Sequence, residues 1–180
     1  MISIKRKKKL ILGLGNPEDE YLLTRHNTGY MFIDFLLEEF KDNDIKERRI
    51  KSTIIHQVRD DLVLAKPLTF MNNSGISVKE IVKWLNIDLD EDFILVHDDL
   101  DISLGKYKLQ FKKSPRDHNG VKSVEQHLGT TGFKRLRIGI DNRKNKNISG
   151  EKYVLQRFSE EEIIELKKVF NEIDLLDLIK

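Results

Sequence analysis

His26 stands in the polar run Thr24-Arg25-His26-Asn27-Thr28, between a glycine-rich turn and the start of an amphipathic segment. Imidazole titrates near neutral pH, so a histidine there is a candidate general base. Asp98 follows the apolar run Phe93 to Val96 and supplies a carboxylate that can fix an imidazole tautomer. Together the two suggest a relay in which the carboxylate orients the ring and the ring takes a proton from water, with no serine nucleophile. Three asparagines add to this set. A side-chain amide offers both a donor and an acceptor, which suits Asn16, Asn72 and Asn119 to holding a peptide group or stabilising the oxyanion of acyl transfer. Singly, each also suits a turn or a cap, and spacing alone does not bring them together.

Other chemistries fit poorly. With no cysteine the chain has no disulfide, thiolate nucleophile or Cys-based zinc site, which suits a reducing compartment. Gly13-Leu14-Gly15-Asn16-Pro17 opens like a dinucleotide-binding turn, but the third glycine of that pattern falls on Glu18, and Pro17 interrupts the turn. His118 and His127 are not at metal-ligand spacing, and no Asp/His pair is either. The apolar run Leu10 to Leu14 behind the basic cluster Lys5 to Lys9 is too short for a signal segment, and nothing nears the roughly 20 apolar residues of a membrane span. A cytoplasmic protein with no membrane partner is the expectation.

The 180 residues are of single-domain length, and one domain spanning 1–180 is expected. Net charge is +2, but its placement is uneven: Ser103 to Arg157 holds 14 Lys/Arg against 4 Asp/Glu. Such a basic stretch favours a polyanionic partner, since each neutralised phosphate releases counterions.

The elements that must position these side chains follow from periodicity. Lys9 to Leu14 reads as a buried strand, and Ile33, Leu36, Leu37 and Phe40 mark a helix that Asn27 or Thr28 would cap. Thr53 to Arg59 and Leu62 to Lys66, parted by Asp60-Asp61, predict a hairpin. Val78, Ile81, Val82 and Leu85 give a second helix, and Phe93 to Val96 a strand ending at His97-Asp98-Asp99. Strands are predicted at Lys106 to Phe111 and Leu136 to Ile140, with a helix from Val121 to Leu128 between them. A final helix opens on a capping box, Ser159 with Glu162. The alternation predicts a single three-layer α/β domain with a central mixed β-sheet flanked by helices, its polar residues gathered at strand ends.

In combination, Gly13-Leu14-Gly15-Asn16-Pro17, Thr24-Arg25-His26-Asn27-Thr28-Gly29, Lys66-Pro67 with Phe70-Met71-Asn72-Asn73-Ser74-Gly75, His97-Asp98-Asp99-Leu100-Asp101, His118-Asn119-Gly120 and Arg135-Leu136-Arg137-Ile138-Gly139-Ile140 closely resemble the bacterial-type peptidyl-tRNA hydrolase family. The match runs in order from about Lys9 to Phe158. The resemblance implies a monomeric, cofactor-free enzyme that releases peptide from peptidyl-tRNA. It casts His26 as the base and Asp98 as its orienting carboxylate. Asn16, Asn72 and Tyr21 fall with the substrate-holding side chains, Met71 with the peptide channel wall, and Asn119 with placement of the water and the tRNA end. Lys108 and Arg137 fall where the family grips the tRNA 5′ phosphate, with Lys106 and Arg135 as basic neighbours.

The chain departs from the pattern at Glu18, at Lys112 to Asp117, at Asp141-Asn142-Arg143 and at Gln110, and its C-terminal element is expected to be shorter than in many members. A rival reading is an RNA-binding protein on the same fold without turnover. Retention of His26, Asp98, Asn16 and Asn72 together argues against it.

Overall fold

The computed structural model describes residues 7–144 and 147–179. At its centre lies β1 (Lys9–Gly13), flanked on either side by a parallel strand, β4 (Leu62–Pro67) and β5 (Phe93–Ser103). Beyond β4 the hairpin partner β3 (Thr53–Arg59) and the edge strand β2 (Lys46–Ile50) run antiparallel. On the other flank β7 (Lys134–Asp141) is parallel to β5, and β6 (Tyr107–Phe111) closes the sheet antiparallel to β7. The order β2-β3-β4-β1-β5-β7-β6 is thus a mixed sheet of seven strands with a parallel centre.

Alternation of side chains on the central strands gives two apolar faces, as a strand's period of two requires. Ile11, Ile94, Val96, Leu136, Ile138 and Ile140 meet α1 (Thr28–Glu39), α5 (Gly150–Val154), α6 (Glu160–Glu172) and α7 (Leu175–Ile179). Leu10, Leu12, Phe93 and Leu95 meet α2 (Ser74–Leu85) and α4 (Asn119–Leu128), with the one-turn α3 (Leu89–Asp92) at their edge. These are the three layers that the sequence predicts.

Four elements escaped the sequence reading. The strand β2 is almost wholly exposed, so it carries no alternation. Helices α3, α5 and α7 span four or five residues, too short for a 3.6-residue period to show. The capping box of α6 is present as predicted: the Ser159 hydroxyl accepts from Glu162 N, and the Glu162 carboxylate accepts from Ser159 N. The predicted cap of α1 is not. Asn27 occupies the capping position, but its side chain is spent on Asn16 instead.

Of the basic cluster at the start of the chain, Lys5 and Arg6 lie outside the described residues. Lys9 pairs with Asp92 at 3.2 Å and Lys7 with Asp88 at 3.9 Å, tying the start of β1 to the α3 turn that leads into β5.

Candidate active site

Parallel strands β1, β4 and β5 all end at the same edge of the sheet, and the residues that follow them line one cleft of about 620 Å³. Asn16 arrives just after β1, Met71 and Asn72 between β4 and α2, and Asp98 from the middle of β5, two residues past Val96, where the pairing with β1 stops. His26 comes from a single helical turn, Arg25–Asn27, leading into α1, and His118 and Asn119 from the start of α4.

Two contacts fix the protonation of the imidazoles in the cleft. His26 Nδ1 lies 2.9 Å from Asp98 Oδ1, and His118 Nε2 lies 2.9 Å from the same oxygen. Val121 N donates to His118 Nδ1 at 3.3 Å, so that nitrogen carries the lone pair, and the ring proton sits on Nε2 and points at Asp98. An ionised carboxylate accepts and does not donate, so His26 presents Nδ1–H to it and keeps its lone pair on Nε2. His26 lines the cleft with 9% of its surface exposed, whereas Asp98 is 1% exposed.

Burial alone would push the Asp98 carboxyl up. The imidazoles of His26 and His118 overcome it and hold Asp98 well below the usual carboxylate range. For His26, burial opposes the charged form, but the field of Asp98 and its hydrogen bond outweigh this and the pKa is raised. Behind them His97 is fully buried, and burial together with His118 lowers it to about 3. Its Nδ1 lies 2.6 Å from the Asp98 carbonyl, which fixes the backbone carrying the carboxylate.

The asparagine at position 16 is shared between two duties. Its backbone N–H donates to Asn27 Oδ1 and its carbonyl accepts from Asn27 Nδ2, both at 2.9 Å, so the two loops are locked edge to edge. Its Oδ1 accepts from Met71 N at 2.9 Å, which leaves the Nδ2 donors for the cleft. Met71 is buried against Gly120 as a wall, while Asn72 and Asn119 are exposed at the mouth. Tyr21 is not in the lining. It meets the edge of Phe70, a rim residue, with ring centroids 6.5 Å apart.

The basic residues separate into two kinds. Lys108 and Lys106 are exposed on the edge strand β6 and just before it. Arg137 is directly opposite Lys108 but only 5% exposed, its Nε donating to Asp99 at 2.7 Å and one terminal nitrogen to Gln110 at 2.7 Å. Arg135, expected as a basic neighbour, is fully buried over the Phe133 ring and paired with Glu125 at 2.6 Å, so it offers nothing to a ligand. The departures at Gln110 and Lys112 to Asp117 also find their places. Gln110 holds Arg137. In the loop, the Ser114 hydroxyl bonds Glu125, Asp101 accepts from Arg116 N at 3.3 Å, and Asp117 pairs with Lys122 at 2.6 Å.

Spacing along the chain gave no metal set, yet the fold gathers His26, Asp98 and His118 with ligand-type atoms within 4.8 Å of one another. They fit a cation poorly. Ligation by His118 Nε2 would move its proton to Nδ1, facing the Val121 N–H donor-to-donor. His118 itself, Asn27 and Arg25 are the members that sequence reasoning passed over. His118 stood beside Asn119 in a quoted motif, and the other two beside His26, but nothing local marks what they touch.

A family profile described as peptidyl-tRNA hydrolase matches residues 10–177. The chain is 45% identical over 168 residues to the peptidyl-tRNA hydrolase of Mycoplasma capricolum subsp. capricolum, covering 91% of this chain and 87% of that protein. It is 46% identical over 160 residues to that of Bacillus cytotoxicus, covering 88% and 84%. Among solved structures, peptidyl-tRNA hydrolase from Acinetobacter baumannii superposes with a TM-score of 0.79 at 30% identity, covering 94% of this chain and 86% of that one. A complex of peptidyl-tRNA hydrolase with N-propanol gives a TM-score of 0.79 at 30% identity, covering 92% and 84%.

Proposed function

The chain belongs to the peptidyl-tRNA hydrolase family, and from that premise we propose that His26 activates the water that hydrolyses peptidyl-tRNA in this enzyme. The single observation that carries this mechanism is the bond from His26 Nδ1 to Asp98, because it leaves Nε2 as the basic nitrogen on a ring that lines the cleft. In the proposed reaction Nε2 takes a proton from water as the oxygen attacks the ester carbonyl. The resulting imidazolium is stabilised by Asp98, and the developing oxyanion accepts from amide donors of Asn16 and Asn72. Collapse breaks the carbonyl carbon to ribose oxygen bond, and the imidazolium returns its proton to that oxygen. Peptide and free tRNA leave, and no cofactor enters the balance.

Met71, with Phe70 at the rim, would line the path of the peptide, Tyr21 would brace the Phe70 ring, and Asn119 would hold the water and the terminal nucleotide. Lys108, exposed on the edge strand, would meet the 5′ phosphate and acceptor stem, with Arg137 contributing from the nitrogen not already used. The proposed reacting groups lie within one chain, so the proposed reaction calls for no second copy, in keeping with the monomer that the resemblance implies. Among the described residues no helix is long and apolar enough to cross a membrane. A cytoplasmic site of action, where peptidyl-tRNA arises, fits this reading.

Release of labelled peptide from N-acetyl-aminoacyl-tRNA tests it, with unblocked aminoacyl-tRNA as the control. His26→Ala is expected to lower kcat by about 10²–10⁴-fold with the fold intact. Full activity in that variant would remove His26 as the base. Binding of tRNA by the unaltered protein without any cleavage would favour the turnover-free RNA-binding reading.

A further inference from the structure

Arg25 adjoins His26, yet its side chain lies outside the cleft lining and is buried. The guanidinium sits over the rings of Tyr153 and Phe158, 4.3 Å and 5.0 Å from their centroids. Nη2 donates to both oxygens of Glu162 at 2.6 and 2.7 Å, and Nη1 donates to the carbonyls of Gln156 and Arg157 at 3.2 and 2.7 Å. The backbone repeats the attachment: Arg25 N donates to Gln156 O, Phe158 N to Leu23 O, both at 3.0 Å, and Thr24 forms an isolated antiparallel bridge with Arg157.

The hydrolytic steps proposed above make no use of Arg25. The turn that bears His26 is only three residues long, and one helical turn does not hold itself in water. One side of it is locked through Asn27 to Asn16, and the other is held to the Gln156–Phe158 segment and to α6 by Arg25 and the strand-like bridge. We propose that the Arg25–Glu162 pair is a positioning element for His26, setting the orientation in which its Nδ1 meets Asp98.

Glu162 is well placed for this because its carboxylate is itself fixed three ways, by Arg25, by Ser159 N at 2.8 Å and by Asn142 Nδ2 at 2.6 Å. The start of α6 is therefore the fixed point to which the base is tied across 137 residues. A role in stability alone explains less. A buried ion pair contributes little net stability compared with well-packed apolar residues, whereas a guanidinium held by a carboxylate at Nη2 and by two carbonyls at Nη1 has its orientation fixed. Nor is Arg25 a phosphate ligand, since its charge is already neutralised by Glu162 away from the cleft. The titratable side chains facing His26 itself are Asp98 from β5 and His118 from the start of α4.

The inference rests on His26 as the base, and its test separates the two. Steady-state hydrolysis of N-acetyl-aminoacyl-tRNA and an NMR titration of the His26 ring are compared for the unaltered full-length protein, Arg25→Met, Arg25→Lys and Glu162→Gln. The expected result is a kcat loss of about 10–10²-fold for Arg25→Met, as a displacement near 1 Å produces, with Arg25→Lys partly restored. KM stays within about twofold, because the Tyr153 hydroxyl, 3.0 Å from the Ile140 carbonyl, ties the α5 wall of the cleft to β7 through a bond that uses neither Arg25 nor Glu162. The midpoint of the His26 titration moves down as Asp98 is less well met, and the acid limb of kcat moves with it.

An unchanged kcat overturns the proposal. So does a kcat loss with the His26 midpoint unmoved, which is what a merely smaller folded fraction gives. Glu162→Gln keeps an oxygen for the α6 cap and so carries the test if Arg25→Met does not fold. If His26→Ala retains full activity the base assignment fails, while a midpoint that still shifts with Arg25 leaves the positioning intact.

Discussion

At the level of single residues, the site is organised by one carboxylate oxygen that accepts from two imidazoles. That arrangement makes a pH prediction with a definite sign. A base must be neutral to act, and the His26 pKa is raised, so activity falls with pH through a midpoint above the ordinary histidine value. Asp98→Asn removes the charge that raises it. Its acid limb is expected at lower pH and its maximal rate to be about 10²-fold lower or more, read from a pH–rate profile of both proteins. A limb that stays in place would mean that another group titrates. His97 makes a different prediction, on stability. With its pKa lowered to about 3 in the fold and near 6.5 unfolded, it binds its proton only in the unfolded chain between those values. Its contribution is therefore fully present above pH 6.5 and is lost as pH falls toward 3, by an order of a few kcal/mol. His97→Asn keeps a donor toward the Asp98 carbonyl without a titrating ring. Denaturant melts of this variant should be less stable at pH 7 and have a shallower decline on acidification.

At the level of elements, the cleft depends on two helices starting side by side. α2 and α4 touch at Gly75, whose amide donates to Ser123 Oγ at 3.1 Å and whose missing Cβ would strike the Ser123 carbonyl and the His127 ring. This contact sets Met71 and Asn72, just before α2, against His118 and Asn119 at the start of α4. Backbone cannot give way as a flexible side chain does. Gly75→Ala should therefore cost about 1–3 kcal/mol in a denaturant melt and raise KM by spreading the mouth of the cleft. An unchanged KM would mean that the two helix starts are held elsewhere. The sheet explains in the same way why Arg135 and Arg137 are buried. Leu136, Ile138 and Ile140 take the face under α6, so the alternation sends both arginines to the α4 side, where Glu125 and Asp99 neutralise them.

Across the whole molecule, the local charge excess proves to be partly internal. Arg135 and Arg137 are inside, and among the exposed cations of the described residues one group, Lys106, Lys108, Lys112, Lys113 and Arg116, runs along the β6 edge and the loop after it, while Lys122, Lys144, Lys152 and Arg157 are exposed elsewhere. Lys108→Ala should raise KM for full-length substrate, flatten its salt dependence by about one unit of log–log slope, and change little for a minimal substrate lacking the 5′ phosphate. Equal effects on the two substrates would rule out a phosphate contact. Arg137→Ala is the poorer probe, because it leaves Asp99 buried and unpaired and so perturbs folding as well as binding.

Much of this protein was determined by the sequence alone. The strand and helix periods of β1, β3, β4, α2 and α6, the capping box at Ser159, and the order of six motifs along the chain are local or sequential facts, and they survive translation into three dimensions, although His97-Asp98-Asp99, expected at a strand end, lies inside β5 because that strand runs on to Ser103 beside β7. So does the pairing of His26 with Asp98, which the resemblance implied and which the 2.9 Å contact realises. Only the tertiary structure decided which groups share the carboxylate, which arginines are left for solvent, and what holds the His26 turn. His118 reaches Asp98 across 20 residues, Asn27 turns from capping α1 to locking Asn16, and Arg25 finds Glu162 across 137. The physical reason is the same in each case. A polar side chain has several acceptable partners, and burial, which makes an unpaired one costly, selects among them only after the sheet and helices have closed.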